Sequence, residues 1–112
     1  MYIVYSTSRM FHTPNQFYYK KSYKFKSLTD AIAKVNEVVS EMKKQKASRN
    51  LVQVKSADTS TSKAVVLFEV SVFIGKQYDG SIYGKLLSPV FELNLYSDDK
   101  KVKKLVYNLV KL

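Results

Sequence analysis

Ser62–Ser97, SKAVVLFEVSVFIGKQYDGSIYGKLLSPVFELNLYS, decides the architecture. Two apolar runs flank Asp79-Gly80, a dipeptide favoured in two-residue type I′ turns because both central residues there need positive φ. With that turn at the tip, Ala64 faces Leu95, Val66 faces Leu93, Phe68 faces Phe91, Val70 faces Pro89 and Val72 faces Leu87. Every pair on this parity is apolar. On the other parity Val65 faces Asn94, Leu67 faces Glu92, Glu69 faces Val90 and Ser71 faces Ser88, a mixed surface that tolerates water, and Gly75 faces Gly84 near the tip. The pattern predicts one long hairpin buried on one side. Pro89 has no amide to donate, so its strand is expected to lie partly at a sheet edge. The tip carries Lys76, Tyr78, Ile82 and Tyr83. It reads either as a finger projecting towards a partner or as a plain hairpin end folded over the core.

Upstream, YIVYS at Tyr2–Ser6 is β-branched and aromatic, and QFYYKKSYKFK at Gln16–Lys26 alternates. Phe17, Tyr19, Tyr23 and Phe25 share one parity; Tyr18, Lys20, Ser22, Lys24 and Lys26 share the other. The second strand is therefore expected to be half-buried with a basic outer face. Pro14 and Asn15 between the two strands are turn residues, which predicts a hairpin with a long loop. In SLTDAIAKVNEVVSEMKKQK, Ser27–Lys46, the residues Leu28, Ala31, Ile32, Val35, Val38, Val39 and Met42 recur at helical spacing. Ser27 is placed to cap that helix with Asp30 three residues on, and Lys43, Lys44 and Lys46 crowd its C-terminal end, where the helix dipole favours cations. KASRN then breaks the helix, LVQVK at Leu51–Lys55 reads as a short strand, and SADTSTS at Ser56–Ser62 reads as a loop.

The chain closes on SDDKKVKKLVYNLVKL. Val102, Leu105, Val106, Leu109 and Val110 line one side of a helix; Lys100, Lys103, Lys104, Tyr107 and Lys111 line the other. Ser97 is expected to cap it, with Asp98 and Asp99 in its first turn. Those carboxylates oppose a phosphate at the helix start, so a nucleic-acid contact here would come from the lysine flank. A solvated lysine side over a buried apolar one produces the same stripe.

The expected order is β-β-α-β-β-β-α, a single α+β domain over residues 1–112 with one mainly antiparallel sheet and both helices packed on one of its faces. The last five elements, from residue 27 onward, have an order similar to that of the double-stranded RNA-binding domain, and KKVKK is similar to that family's basic helix start. The loop SADTSTS lacks the Gly-Pro-x-His element that the family places between its first two strands, and the N-terminal hairpin is foreign to it. No family is assigned on this basis.

Charge narrows the functions. The 112 residues carry 19 Lys plus Arg against 9 Asp plus Glu, a formal net charge of +10. Residues 9–55 hold 11 basic and 3 acidic side chains, residues 56–96 hold 3 and 4, and residues 97–112 hold 5 and 2. Positive charge is thus concentrated in two regions, is expected to make a lysine-rich face rather than a uniform field, and points to an anionic partner. There is no cysteine, which excludes disulfides and thiolate metal sites and leans towards the cytoplasm. The N-terminus lacks the apolar core of about 7–15 residues that a secretory signal carries, and no run approaches the roughly 20 apolar residues of a membrane helix. A cytoplasmic protein with no membrane partner is expected. The single histidine, His12, lies in a predicted loop, and no phosphate-cradling, metalloprotease or nucleophile-elbow motif is present. Neither catalysis, a cofactor, a metal nor a small-molecule ligand is expected.

Two readings remain. In the first, a nucleic acid, RNA or DNA, meets Lys20, Lys24, Lys26, Lys43, Lys44, Lys46, Arg49, Lys100, Lys103, Lys104 and Lys111, with Tyr18 available for stacking. In the second, the basic surface and the tyrosine-rich tip hold an acidic or nucleic-acid-binding protein, as an inhibitor of the compact kind that phages and other mobile elements encode.

Overall fold

The computed structural model describes residues 1–10, 18–45, 47–57, 63–77, 85–86 and 88–112. The elements run β1 (Tyr2–Met10), β2 (Tyr18–Phe25), α1 (Leu28–Met42), β3 (Ser48–Ala57), β4 (Ala64–Ile74), β5 (Lys76–Gln77), β6 (Lys85–Leu86), β7 (Val90–Leu95) and α2 (Lys100–Leu109). Five strands form one antiparallel sheet in the order β2-β1-β3-β4-β7, and β5 and β6 form a separate two-stranded ribbon. This is the expected α+β order, with the ribbon set into the long hairpin.

Alternation divides the sheet. Val4, Val52, Val54, Phe68, Val70 and Val72 point to one face and are fully buried there. Against them α1 lays Leu28, Ala31, Ile32, Val35, Val39 and Met42, and α2 contributes Val106. Each such side chain stabilises the fold by roughly 1.5–3 kcal/mol relative to exposure. Helix α1 lies over β1, β3 and β2 with α2 beside it, so both helices share one layer. No helix among the described residues lies on the opposite face of the sheet. Among the described residues, no helix is long and apolar enough to cross a membrane.

The start of α1 is as expected: Ser27 Oγ accepts from the Asp30 amide at 3.1 Å. The start of α2 is not. Asp99 is the capping residue, its Oδ1 accepting from the Lys101 amide at 2.8 Å, while Ser97 Oγ accepts from the Asp99 amide at 3.2 Å. Both Asp98 and Asp99 therefore precede the helix. A carboxylate two residues closer to the orphan amides interacts with the dipole more strongly than the hydroxyl would.

The register of the long hairpin also differs from expectation. Phe68 pairs with Leu95, Val70 with Leu93 and Val72 with Phe91, so each partner lies four residues further along than the Asp79-Gly80 turn implied. Faces are preserved, because an even shift keeps parity. The reason is visible at Pro89, which the expected register put opposite Val70 in the ladder. In the structure β7 begins at Val90, leaving the amide-less proline outside the ladder. Gly75 separates β4 from β5. Residues 79 and 80 lie outside the described residues.

Two further differences concern strands. β3 begins at Ser48, not Leu51, because Ser48 and Asn50 are buried and pair with Ile74 and Val72. Tyr19, expected on the half-buried parity of β2, is 54% exposed: its strand is the sheet edge and extends beyond the cover of α1.

Candidate nucleic-acid interface on the open face of the sheet

The uncovered face is laid out by the strand pairings in four rows, the first crossing β2, β1, β3 and β4 and the other three crossing β7 as well. The first is Lys24, Ile3, Lys55 and Val66. The second is Ser22, Tyr5, Gln53, Glu69 and Asn94; the third is Lys20, Thr7, Leu51, Ser71 and Glu92; the fourth is Tyr18, Arg9, Arg49, Phe73 and Val90. Cross-strand neighbours stand about 5 Å apart and successive rows about 7 Å apart. All the cations, Lys20, Lys24, Arg9, Arg49 and Lys55, are on the three strands β2, β1 and β3. Both carboxylates, Glu69 and Glu92, are on β4 and β7. The open face is therefore polarised across its width.

Two of the cations are held against rings. The Lys55 ammonium lies 5.3 Å from the centroid of the Tyr5 ring, and the Arg49 guanidinium lies 5.7 Å from that of Phe73. Such pairs attract through the ring quadrupole and keep a long side chain close to the surface. Phe73, near the end of β4, is 41% exposed, a high exposure for a phenylalanine. Beside Arg49 and Phe73 lies an open depression of about 330 Å³, lined also by Leu51, Ser71, Asn50 and Val72.

The boundary between the two halves is pinned by Glu69. Its carboxylate accepts from the Tyr96 hydroxyl, from Gln53 Nε2 at 3.0 Å and from Asn94 Nδ2 at 3.4 Å. The Tyr96 bond is the largest cause, with Gln53 and Asn94 adding to it, of a Glu69 pKa below the ordinary 4.5; slight burial opposes them. The same bond raises the Tyr96 hydroxyl above its ordinary 10.0. A carboxylate can only accept, so the Gln53 amide nitrogen must face it.

The residues singled out in the sequence fall on different sides of the molecule. Lys20, Lys24 and Arg49 are on the open face, Tyr18 stands at an open-face register position, and Lys26 follows directly after β2. Lys43 and Lys44 lie in the helix layer at the end of α1, where Lys43 Nζ sits 5.0 Å over the Phe91 ring and Lys44 pairs with Glu41 at 3.5 Å. Lys100 and Lys104 are exposed along α2 and Lys103 is half-buried, while Lys111, expected on the same helix, is exposed just after it because Val110 is already extended. The single basic face expected from the sequence is not what the fold builds: the sheet cations and the helix lysines look out from opposite layers, because the strands and the helices that carry them form separate layers. Lys76 begins β5. Lys46, Tyr78, Ile82 and Tyr83 lie outside the described residues, as does His12.

Sequence reasoning missed Tyr5, Arg9, Gln53, Lys55 and Phe73. The pairing of β1 with β2 would have placed Arg9 opposite Tyr18, but the run IVYSTSR alternates too weakly in hydrophobicity to reveal its faces. For Gln53 and Lys55 the signal was present, since they alternate with Val52 and Val54.

The helix side has its own groove, about 560 Å³, between α1 and the projecting edge of β2. Its chemistry is self-neutralised: Lys34 Nζ bonds Glu37 at 3.1 Å and sits 4.3 Å over the Tyr23 ring, and Ser8 Oγ donates to Gln45 Oε1 at 3.1 Å. Among the described residues, no three His, Cys, Asp or Glu side chains gather as a metal ion would require. No protein-family model matches the chain, and no curated protein or solved structure does either.

Proposed function

We propose that the protein binds nucleic acid through the open face of its sheet. The observation that carries this reading is the polarised lattice: five cations on three adjacent strands, two of them seated on rings, on a surface that neither helix covers. Phosphates favour such a field, and the fixed spacing of the strands holds the cations without the entropy cost of ordering a loop. The helix-layer lysines add a second field on the opposite side. A cytoplasmic setting is part of this reading and is supported by a chain without cysteine, which suits a reducing compartment.

The test compares two quadruple variants by salt titration of binding to a labelled oligonucleotide. Changing Lys20, Lys24, Arg49 and Lys55 to Gln flattens the slope of log affinity against log salt by about 0.7–0.9 for each lost phosphate contact. The same change at Lys100, Lys103, Lys104 and Lys111 has the smaller effect. The reverse ranking overturns the assignment to the open face. No binding of any nucleic acid at low salt, where electrostatic affinity is greatest, overturns nucleic acid as the partner and leaves an acidic protein in its place.

A further inference from the structure

The open face differs from a surface built for duplex in its width, its rings and the direction of its charge gradient. Five strands separated by about 4.8 Å make a face about 19 Å wide. The major groove of duplex DNA is about 12 Å wide and admits a single helix or a two-stranded ribbon. This face can therefore only rest on the outer ridge of a duplex. There its cations would meet phosphates, while Phe73, Leu51 and Tyr5 would have nothing to cover them.

An unpaired strand meets all of these groups. Its phosphates belong over β2, β1 and β3, beside Lys20, Lys24, Arg9 and Lys55. They are repelled from β4 and β7 by Glu69, which its three hydrogen-bond donors keep ionised, and by Glu92. The neutral bases are not repelled. They can extend towards β4, where the depression beside Phe73 offers an exposed ring, the flat guanidinium of Arg49, the apolar Leu51 and the hydroxyl of Ser71. Aromatic rings and guanidinium planes both stack on unpaired bases, and a hydroxyl can donate to or accept from a base edge.

We infer that the open face takes a single strand of nucleic acid in preference to duplex, with its phosphates over β2, β1 and β3 and one base seated in the depression beside the Arg49–Phe73 pair. This rests on the open-face reading above and deepens it by naming the form of nucleic acid and the direction in which it lies.

The experiment measures anisotropy of a fluorescein-labelled oligothymidine strand of about 12 nucleotides, a length within the usual range for such sites, and of a duplex of equal length at one salt concentration. The wild type is compared with Phe73→Ala and with Phe73→Leu, which retains apolar bulk without a ring; thermal melting confirms that each folds. The expected result is single-strand affinity at least tenfold above duplex affinity, reduced about tenfold or more in both variants, with duplex affinity unchanged. Loss in Phe73→Ala together with full retention in Phe73→Leu overturns stacking at this position. Equal affinity for strand and duplex overturns the single-strand inference and leaves the open-face reading standing. Absence of binding to either overturns both.

Discussion

Asn36 and Leu109 tie the two helices together. Asn36, midway along α1, donates from Nδ2 to the Leu109 carbonyl at 2.8 Å, and its Oδ1 accepts from the Lys111 amide at 2.9 Å. One side chain thus satisfies a carbonyl and an amide at the end of α2, where the helix itself has no partner to offer. Asn36→Ala leaves both groups without that partner and is expected to lower stability by about 1–2 kcal/mol. Urea unfolding checks this: the midpoint falls while the slope is unchanged. An unmoved midpoint would show that the tie contributes nothing.

The hairpin register is open to a direct crosslinking test on the solvent-facing side, where substitutions leave the core intact. Ser71 stands opposite Glu92. Cysteines at Ser71 and Glu92 are expected to form a disulfide on mild oxidation, since directly opposed Cβ atoms are about 4.5–5.5 Å apart. Cysteines at Ser71 and Ser88, the pair that a turn centred on Asp79-Gly80 demands, are expected to remain free. The opposite outcome sinks the register described here.

The same register separates two phenylalanines that a tighter hairpin would have placed side by side. Phe68 is fully buried in the sheet centre, so Phe68→Ala is expected to cost about 3–5 kcal/mol. Phe91 lies on the edge strand, half-buried under the Lys43 ammonium, and its truncation is expected to cost distinctly less. Equal losses in chemical denaturation contradict the assignment of Phe91 to an edge.

Glu69 makes stability depend on acid. Its pKa is lower folded than unfolded, so the contribution of its network is complete above the unfolded value, near 4.5, and is lost as pH falls through the folded value. Tyr96 has the opposite sign: its raised pKa gives a contribution complete below about 10.0 and lost as pH rises through the folded value. Between these limits the network is insensitive to pH. In paired unfolding curves, the stability difference between wild type and Glu69→Gln is expected to shrink as pH drops below 4.5. A difference that stays constant down to strong acid rules the linkage out.

The face of each residue was legible in the sequence wherever apolar residues alternated or recurred at helical spacing. Leu28 to Met42 and Val102 to Leu109 met the core as their spacing required, and Phe68, Val70 and Val72 faced inward under either register. Register itself was not legible, because burial constrains parity and an even slip leaves parity intact; the proline carried the missing information. The candidate site was half legible. Lys20, Lys24 and Arg49 were found as charges, but their separation from the α2 lysines depends on which layer each element joins. The cover on one side of a sheet is a property of tertiary packing, which no local pattern encodes.

The sheet departs from regular pairing between Val54 and Lys55. Val54 pairs with Phe68 and Lys55 with Val66, so Leu67 is an extra residue without a partner in β3. Strict alternation forbids two successive inward side chains, yet Leu67 and Phe68 are both buried. On the β7 side, the Leu67 carbonyl accepts from the amides of both Tyr96 and Ser97 as the chain leaves β7 for α2. The irregularity thus acts as a mortise: one surplus residue in β4 receives the last residues of the sheet and aims them at the helix layer. It also holds Tyr96 where its hydroxyl reaches Glu69, so the exit of the chain towards α2 and the acidic boundary on the open face share one anchoring residue.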